Sequence, residues 1–233
     1  MKQGSDVQRR RPRVGRVRQT LDFDRIAKDL HASVISDTLD AFGHLNHALP
    51  PRIRPIDPGS TVVGRAATLH LVEEFSEPAS PYKGLIAAMD RVPRDSVIIV
   101  AAGTTRCAIW GELFSIAAQA RGARGTVVDG YVRDTAKVIA MGFPLFAVGT
   151  SPLDSKGRAT LLAEQIELEI DGIRIAPGDL IFGDHDGVVV VPAELEAEVI
   201  TRAYEKIRNE AAARTALLSG SFMRKVWDEH RVL

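Results

Sequence analysis

The sequence has a single cysteine, few aromatic side chains and no net charge. Of its 233 residues 6% are aromatic, and 30 lysines and arginines balance 30 aspartates and glutamates. The lone Cys107 cannot form a disulfide within the chain, which is typical of proteins in reducing compartments. No stretch approaches the roughly 18 consecutive apolar residues of a membrane span, and the N-terminus lacks the apolar core of a signal peptide. These absences predict a cytoplasmic protein with no membrane partner.

Several common functional motifs are missing as well. The sequence contains neither a GxGxxG dinucleotide motif nor a Walker P-loop. Its six histidines show no zinc-ligand spacing. The acidic run Asp184-His185-Asp186-Gly187 has two interpretations. It is a tight turn between two strands, which the Asp-Gly pair favours, or it is a metal or catalytic cluster.

Charge is unevenly distributed along the chain. Residues 1–20 contain seven basic residues and one acid, a charge of +6, so the other 213 residues carry −6. A basic segment on a mildly acidic body predicts a disordered arm, with a nucleic-acid or partner contact as the alternative. We therefore divide the chain into an arm, residues 1–20, and a single domain, residues 21–233.

The hydrophobic pattern of residues 96–149 predicts alternating strands and helices. The run SVIIVAA at its start is continuously apolar, which is typical of a strand covered on both faces. The predicted segments are strand 96–102, helix 111–121, strand 126–128, helix 135–141 and strand 143–149. This βαβαβ series predicts parallel strand pairing with right-handed crossovers.

The flanking sequence adds helices on one side and a β-rich part on the other. The predicted segments are two short helices within 21–48, a strand at 61–72, a short helix at 82–91, a hairpin at 165–175 around Asp171-Gly172, a strand-turn-strand unit at 179–192 and a long helix at 193–218. The chain is therefore predicted to be an α/β protein whose β-rich part folds against the βαβαβ series.

Three charged side chains lie at the strand-to-helix junctions of this series. Glu112 is in the first turn of one helix, and Arg133 and Asp134, after twenty intervening residues, open the next. In an α/β unit, residues at such junctions point into one crevice. Free N–H groups at the helix amino ends suit carboxylate ligands. Two carboxylates, a guanidinium and two helix ends are therefore predicted to meet.

Each of these residues also has an ordinary structural interpretation. Asp134 could act only as an N-cap, Arg133 could pair with Asp129, and Glu112 could merely complement the helix dipole. The functional interpretation is a divalent-cation site, because Mg²⁺ is typically held by one or two carboxylates while waters and substrate oxygens complete its shell. The arginine would then bind a substrate carboxylate in a bidentate manner.

The pattern of an acid, twenty residues and Arg-Asp, set in WGELFSIAAQARGARGTVVDGYVRD, resembles the signature of the RraA-like family. The similarity extends from SDTLDAFG at 36–43, through PGDLIFGDHDGVVVVP at 177–192, into the C-terminal helix. That family includes class II pyruvate aldolases acting on 4-hydroxy-4-methyl-2-oxoglutarate and 4-carboxy-4-hydroxy-2-oxoadipate, and also a regulator of ribonuclease E. The resemblance implies an α/β/β sandwich of the swivelling type with a central βαβαβ unit and a long C-terminal helix, assembled as homotrimers or homohexamers.

The resemblance also implies roles for residues at matching positions. Asp134 would bind Mg²⁺ or Mn²⁺ directly, Arg133 would be a catalytic and substrate-binding residue, and Glu112, where many aldolases have Asp, would act through metal-bound water. The pyruvate carboxylate would be held by the backbone N–H groups of Gly111, Glu112, Leu113 and Phe114. Glu210 is our candidate for the glutamate that the family contributes from a neighbouring subunit.

The activity that the resemblance implies is metal-dependent cleavage of a 4-hydroxy-2-oxo acid to pyruvate, with oxaloacetate decarboxylation through the same enolate. One alternative is a non-catalytic regulatory binding protein of the ribonuclease E inhibitor type, in which the arm at 1–20 contacts a partner. Another is an enzyme that binds or isomerises other 2-oxo acids, with residues 73–83 as its specificity loop.

Overall fold

The computed structural model describes residues 21–76, 79–102 and 106–231. The predicted basic arm, residues 1–20, lies outside the described residues. So do residues 77–78 of the predicted specificity loop and residues 103–105, which follow the predicted 96–102 strand. The division of the chain into an arm and one domain therefore stays a prediction.

The elements follow the predicted order, with a few additions. The helices are α1 (Phe23–Asp29), α2 (Ala32–Ala41), α3 (Lys83–Asp90), α4 (Glu112–Ala120), α5 (Thr135–Ala140), α6 (Glu196–Leu218) and α7 (Met223–His230). The strands are β1 (Arg54–Pro55), β2 (Val62–Glu73), β3 (Ser96–Ala101), β4 (Ala108–Trp110), β5 (Gly125–Val132), β6 (Leu145–Thr150), β7 (Ala159–Glu164), β8 (Leu168–Ile170), β9 (Ile173–Ile175), β10 (Leu180–Asp184) and β11 (Gly187–Val191).

Within the described residues, nine strands form one mixed sheet in the order β1-β6-β5-β3-β2-β10-β11, with β4 beside β5 and β7 beside β2. The predicted βαβαβ series, β3-α4-β5-α5-β6, forms its parallel centre. In the register of this centre, Val97 lies opposite Gly125 and Thr126 opposite Leu145. β10 and β11 extend the sheet on the other side of β2 in antiparallel pairing. The predicted fold class is therefore confirmed.

Helices cover one face of this sheet and the β8–β9 hairpin covers the other. Met89 of α3, Ala118 of α4 and Val138 of α5 are buried in one apolar cluster with the sheet. Ile170 and Ile175 of the hairpin are buried in a second cluster on the opposite face. A third cluster joins α1, α2 and α6 to β10 and β11. Helices, sheet and hairpin are the three layers of the α/β/β sandwich.

Four elements were not predicted, and each has a weak local pattern. β1 and β4 contain two and three residues, which is too short for a recognisable alternation. β7 is only partly buried at four of its six positions, so its apolar pattern is diluted. α7 buries Val226 alone among its described residues, so it lacks the apolar stripe that marks an amphipathic helix.

The predicted turns are confirmed by the structure. Asp171 and Gly172 connect β8 and β9 with φ of 48° and 80°, values that suit a tight hairpin turn. His185 and Asp186 form the turn between β10 and β11. No helix within the described residues combines the length and apolar character that crossing a bilayer requires.

Candidate active site

A cleft of about 620 Å³ opens beside the ends of β4 and β5, between α3, α4 and α5. Its volume lies in the range of ordinary small-molecule sites. It is lined by the residues predicted for a site within one chain: Gly111, Glu112, Leu113, Phe114, Arg133 and Asp134. It is also lined by polar residues that were not predicted: Tyr82, Asp90, Lys137, Asp154 and Ser155. The structure thus brings the predicted residues together, and their chemical roles stay predictions.

Gly111 connects β4 to α4 at the bottom of this arrangement. A Cβ atom at residue 111 would lie 2.9 Å from Asp134 Oδ2 and 3.0 Å from Arg133 Cγ. The backbone of Gly111 is extended, with φ of −166°, so the requirement for glycine comes from space and not from the dihedral angle. The missing side chain lets two functional side chains from the next junction approach the start of α4.

Asp134 occupies the N-cap position of α5 but does not cap it. Its backbone is left-handed, with φ of 56°, and its side chain makes no capping hydrogen bond. The carboxylate instead faces the cleft, where Oδ2 lies 3.5 Å from the N–H nitrogen of Glu112 and 3.6 Å from Arg133 Nε. The interpretation of Asp134 as a helix cap alone is therefore wrong.

Arg133 lies between two carboxylates of the cleft. Its Nη1 is 3.3 Å from Asp154 Oδ1, and its Nε faces Asp134. Its backbone N–H donates to the carbonyl of Trp110 at 2.9 Å, which ties the start of α5 to the end of β4. The alternative pairing with Asp129 is wrong, because Asp129 instead accepts from Arg52 Nη2 at 2.9 Å.

Glu112 forms an ion pair that the sequence analysis missed. Lys137 Nζ donates to Glu112 Oε2 at 2.7 Å. This hydrogen bond raises the pKa of the Lys137 ammonium above its ordinary value. Lys137 lies three residues after Asp134, so it shares a helix face with the predicted site, and that spacing is the signal that could have identified it.

The opposite side of the cleft carries a second missed group, Tyr82 and Asp154. The Tyr82 hydroxyl donates to Asp154 Oδ2, and the Ser155 N–H donates to Asp154 Oδ1 at 2.8 Å. Burial, and then the hydrogen bond to Asp154, raise the pKa of the Tyr82 phenol. Tyr82 and Asp154 are 72 residues apart, and no local pattern connects them.

The first turn of α4 adds backbone donors to the cleft. N–H groups in the first turn of a helix have no intrahelical partner, and the helix dipole favours an anion beside them. Together with Arg133 they make this end of the cleft suitable for a carboxylate. The exposed Leu113 side chain, 78% accessible, points away from the packed core.

The donor atoms of the cleft fit a divalent cation held by few protein ligands. Within the described residues, no group of three or more His, Cys, Asp and Glu side chains could hold a metal by itself. Asp134 has a carboxylate that does not cap its helix, in a space that a Cβ at residue 111 would fill. One carboxylate is sufficient for Mg²⁺ when water and substrate oxygens complete its shell.

Glu210 and the acidic turn lie outside this cleft. Glu210 Oε1 pairs with Lys206 Nζ at 3.1 Å on α6, and it is not among the residues that line the cleft. Its role in a neighbouring subunit's site stays a prediction. Asp184 accepts from the N–H groups of Ala32 at 2.8 Å and Asp186 at 2.9 Å. The acidic run is therefore a structural turn that also holds the start of α2.

Comparison with known proteins adds independent information. A model of the RraA-like family, described as Aldolase/RraA, matches residues 32–190. A Halalkalibacterium halodurans protein, provisionally named a 4-hydroxy-4-methyl-2-oxoglutarate aldolase, is 32% identical over 197 residues, which are 84% of this chain and 89% of that protein.

Two further relatives differ in length and in what is said of them. Protein DlpA of Legionella pneumophila is 31% identical over 201 residues, 86% of this chain, but the chain spans only 32% of that protein's length. The crystal structure of Streptomyces coelicolor RraAS2, described as an unusual member of the RNase ES inhibitor RraA protein family, superposes with a TM-score of 0.73 at 27% identity. It covers 82% of this chain and 94% of that one.

Proposed function

The chain belongs to the RraA-like family, and from that premise we propose that it is a metal-dependent carbon–carbon lyase that cleaves a 4-hydroxy-2-oxo acid to pyruvate. The observation that carries the proposal is the meeting of Glu112, Arg133 and Asp134 in one cleft at the start of α4. Substrates of the 4-hydroxy-4-methyl-2-oxoglutarate or 4-carboxy-4-hydroxy-2-oxoadipate type suit a cleft with this charge distribution.

The 2-oxo acid end of the substrate would bind between Arg133 and the first turn of α4. The Arg133 guanidinium can donate to a carboxylate from Nη2, since its two carboxylate contacts within the described residues involve Nε and Nη1. The N–H groups of residues 111–114 would complete the carboxylate site. This arrangement orients the substrate with its keto oxygen towards Asp134.

Asp134 would hold Mg²⁺ or Mn²⁺ beside that keto oxygen. Such a cation supplies Lewis-acid stabilisation of negative charge that develops on the substrate oxygen. Asp134 suits this role because its carboxylate makes no capping bond to α5, so binding a cation does not compete with helix stability.

Glu112 would accept the proton of the C4 hydroxyl, directly or through one water. As the hydroxyl becomes a carbonyl, the C3–C4 bond breaks and its electron pair passes to the pyruvate enolate. Return of the proton from Glu112 to C3 gives pyruvate. Lys137 keeps Glu112 Oε2 hydrogen-bonded at 2.7 Å, so Oε1 is the oxygen we assign to the proton transfer.

Oxaloacetate would be a second substrate of the same site. Loss of its distal carboxylate as CO₂ leaves the same pyruvate enolate, so Arg133 and the α4 donors would act on it in the same way. We also propose that the active form is a homotrimer or homohexamer in which Glu210 approaches a neighbouring subunit's cleft. Mixing inactive Arg133→Ala and Glu210→Gln proteins would then restore partial activity, whereas a Glu210 role confined to its own subunit predicts no such recovery.

The experiment that tests the proposal is pyruvate release from the purified protein. We would supply 4-hydroxy-4-methyl-2-oxoglutarate and oxaloacetate with Mg²⁺ or Mn²⁺, then with excess EDTA, and repeat both with Asp134→Ala. Pyruvate that forms with metal and disappears with the chelator and in the variant supports the lyase. Equal metal-dependent turnover by wild type and Asp134→Ala refutes the site assignment.

A regulatory binding protein is the second candidate, and the similarity to the Streptomyces RNase ES inhibitor family member favours it. Deleting residues 1–20 separates the two functions. Loss of ribonuclease or RNA binding with unchanged pyruvate release supports a second role for the arm, and unchanged binding refutes it.

A further inference from the structure

Asp154 is held in place by the backbone around it. Ala108 of β4 donates from its N–H to the carbonyl of Leu153 at 2.8 Å, and Ala108 also forms a parallel bridge with Asp154. The Ser155 N–H binds Asp154 Oδ1 at 2.8 Å. The carboxylate therefore starts from a position that is fixed relative to β4 and to the start of α4.

Tyr82 holds the other oxygen of the same carboxylate in spite of an unfavourable backbone. Its φ is 63°, a left-handed conformation that is a genuine outlier for a bulky residue and that is concentrated at functional sites. The hydroxyl donates to Asp154 Oδ2. The strained position places a phenol against a carboxylate of the cleft wall, just before α3.

Arg133 is the residue on which this arrangement acts. Its guanidinium faces Asp154 at 3.3 Å through Nη1 and Asp134 at 3.6 Å through Nε. Without Asp154, the attraction of Asp134 would be the principal force on the guanidinium. Arg133 would then close on the carboxylate that the proposed function reserves for the cation.

We propose that Asp154, held by the Tyr82 hydroxyl, is a positioning residue that keeps Arg133 oriented towards the substrate carboxylate and away from Asp134. This inference rests on the proposed function for the identity of the ligand, a 2-oxo acid. An opposite effect of the same contact is competition, in which Asp154 occupies Arg133 and weakens substrate binding. The two effects change the KM in opposite directions.

The test uses Asp154→Asn and Tyr82→Phe in the full-length protein. Both variants should raise the KM for the 2-oxo acid roughly tenfold, the size typical of partners that orient a binding residue, with a smaller change in kcat. Tyr131→Phe and Asp24→Asn are the matched controls. Tyr131 lies on β5 and Asp24 pairs with Arg124, and neither lines the cleft. A KM that is unchanged or lowered in both test variants overturns the proposal.

A measurement without turnover separates this inference from the proposed function. The Nε–H resonance of Arg133 in ¹⁵N-arginine-labelled protein can be assigned by its loss in Arg133→Lys. The proposal predicts that this resonance shifts or broadens in Asp154→Asn and Tyr82→Phe and stays unchanged in the two controls. An unchanged resonance in a folded Tyr82→Phe protein overturns it, even if wild type releases no pyruvate. If Asp154→Asn fails to fold, the more conservative Tyr82→Phe decides.

Discussion

Lys137 Nζ lies 2.7 Å from Glu112 Oε2, so one ion pair joins α5 to α4 across the cleft. The longer side chain of glutamate, compared with aspartate, is what lets residue 112 reach the lysine. The pair holds the proposed proton acceptor while Lys137 itself remains 66% exposed at the mouth of the cleft.

Replacing Lys137 with glutamine should lower kcat on the order of tenfold with little change in thermal stability. The side chain of Glu112 would lose its partner and sample several rotamers, whereas an exposed ion pair contributes little to folding. Steady-state kinetics and thermal unfolding measure the two effects. Lys225→Gln, which removes an exposed ion pair with Glu229 on α7, is the control and should leave kcat unchanged. Equal rates for Lys137→Gln and wild type would refute a role for the pair.

Asp134→Gly should reduce pyruvate release on the order of 100-fold or more while the free energy of unfolding stays within about 1 kcal/mol of wild type. Glycine relieves the left-handed backbone at φ 56° but removes the carboxylate, and no capping bond is lost. Gln165→Gly changes another left-handed position, φ 52°, on a residue that does not line the cleft. Denaturant unfolding and kinetics on both variants separate the backbone effect from the loss of the carboxylate, and activity in Asp134→Gly would contradict the prediction.

Gly111→Ala should reduce kcat/KM on the order of 100-fold, because the new Cβ, 2.9 Å from Asp134 Oδ2, displaces the carboxylate and the neighbouring Arg133 side chain. The extended backbone accommodates alanine, so the protein should remain folded. Gly59→Ala places a Cβ no closer than 3.7 Å to Asp57 and serves as the control. Near-wild-type kinetics in Gly111→Ala would show that the close approach is not needed for activity.

The phenol of Tyr82 should titrate above the ordinary tyrosine pKa of 10.0 because burial and the Asp154 carboxylate both disfavour the phenolate. The ultraviolet difference between wild type and Tyr82→Phe during an alkaline titration isolates this group from the other tyrosines. Asp154→Asn should lower the pKa. Because the folded-state pKa is raised, the stabilisation is fully present below about pH 10. It is lost as the pH rises through the folded-state pKa. A Tyr82 that titrates identically in wild type and Asp154→Asn would contradict the assigned contact.

Much of the fold could be predicted because its elements have strong local patterns. β3 is buried at all six positions, and its apolar run already indicated a strand covered on both faces. β5 is longer than the predicted 126–128 because Asp129 and Gly130 continue the strand although neither is apolar. Neighbours on both sides hydrogen-bond this extension, and such neighbours are not visible in a window of sequence.

The candidate site divides in the same way. Glu112, Arg133 and Asp134 lie on consecutive strand-to-helix junctions. Parallel pairing with right-handed crossovers is therefore sufficient to bring them to one crevice. Lys137 was missed although it shares a helix with Asp134, since its partner Glu112 is 25 residues away.

By itself the sequence determined the family, the order of the elements and the one crevice at which its charged junction residues meet, because these depend on local periodicity and on short connections. Only the tertiary structure decided which groups hold those residues. Asp154 and Tyr82 meet across 72 residues, and Arg52 takes Asp129 across 77. The left-handed backbone of Asp134 turns its carboxylate away from its own helix. Such contacts arise from the packing of distant segments, and no spacing in the chain encodes them.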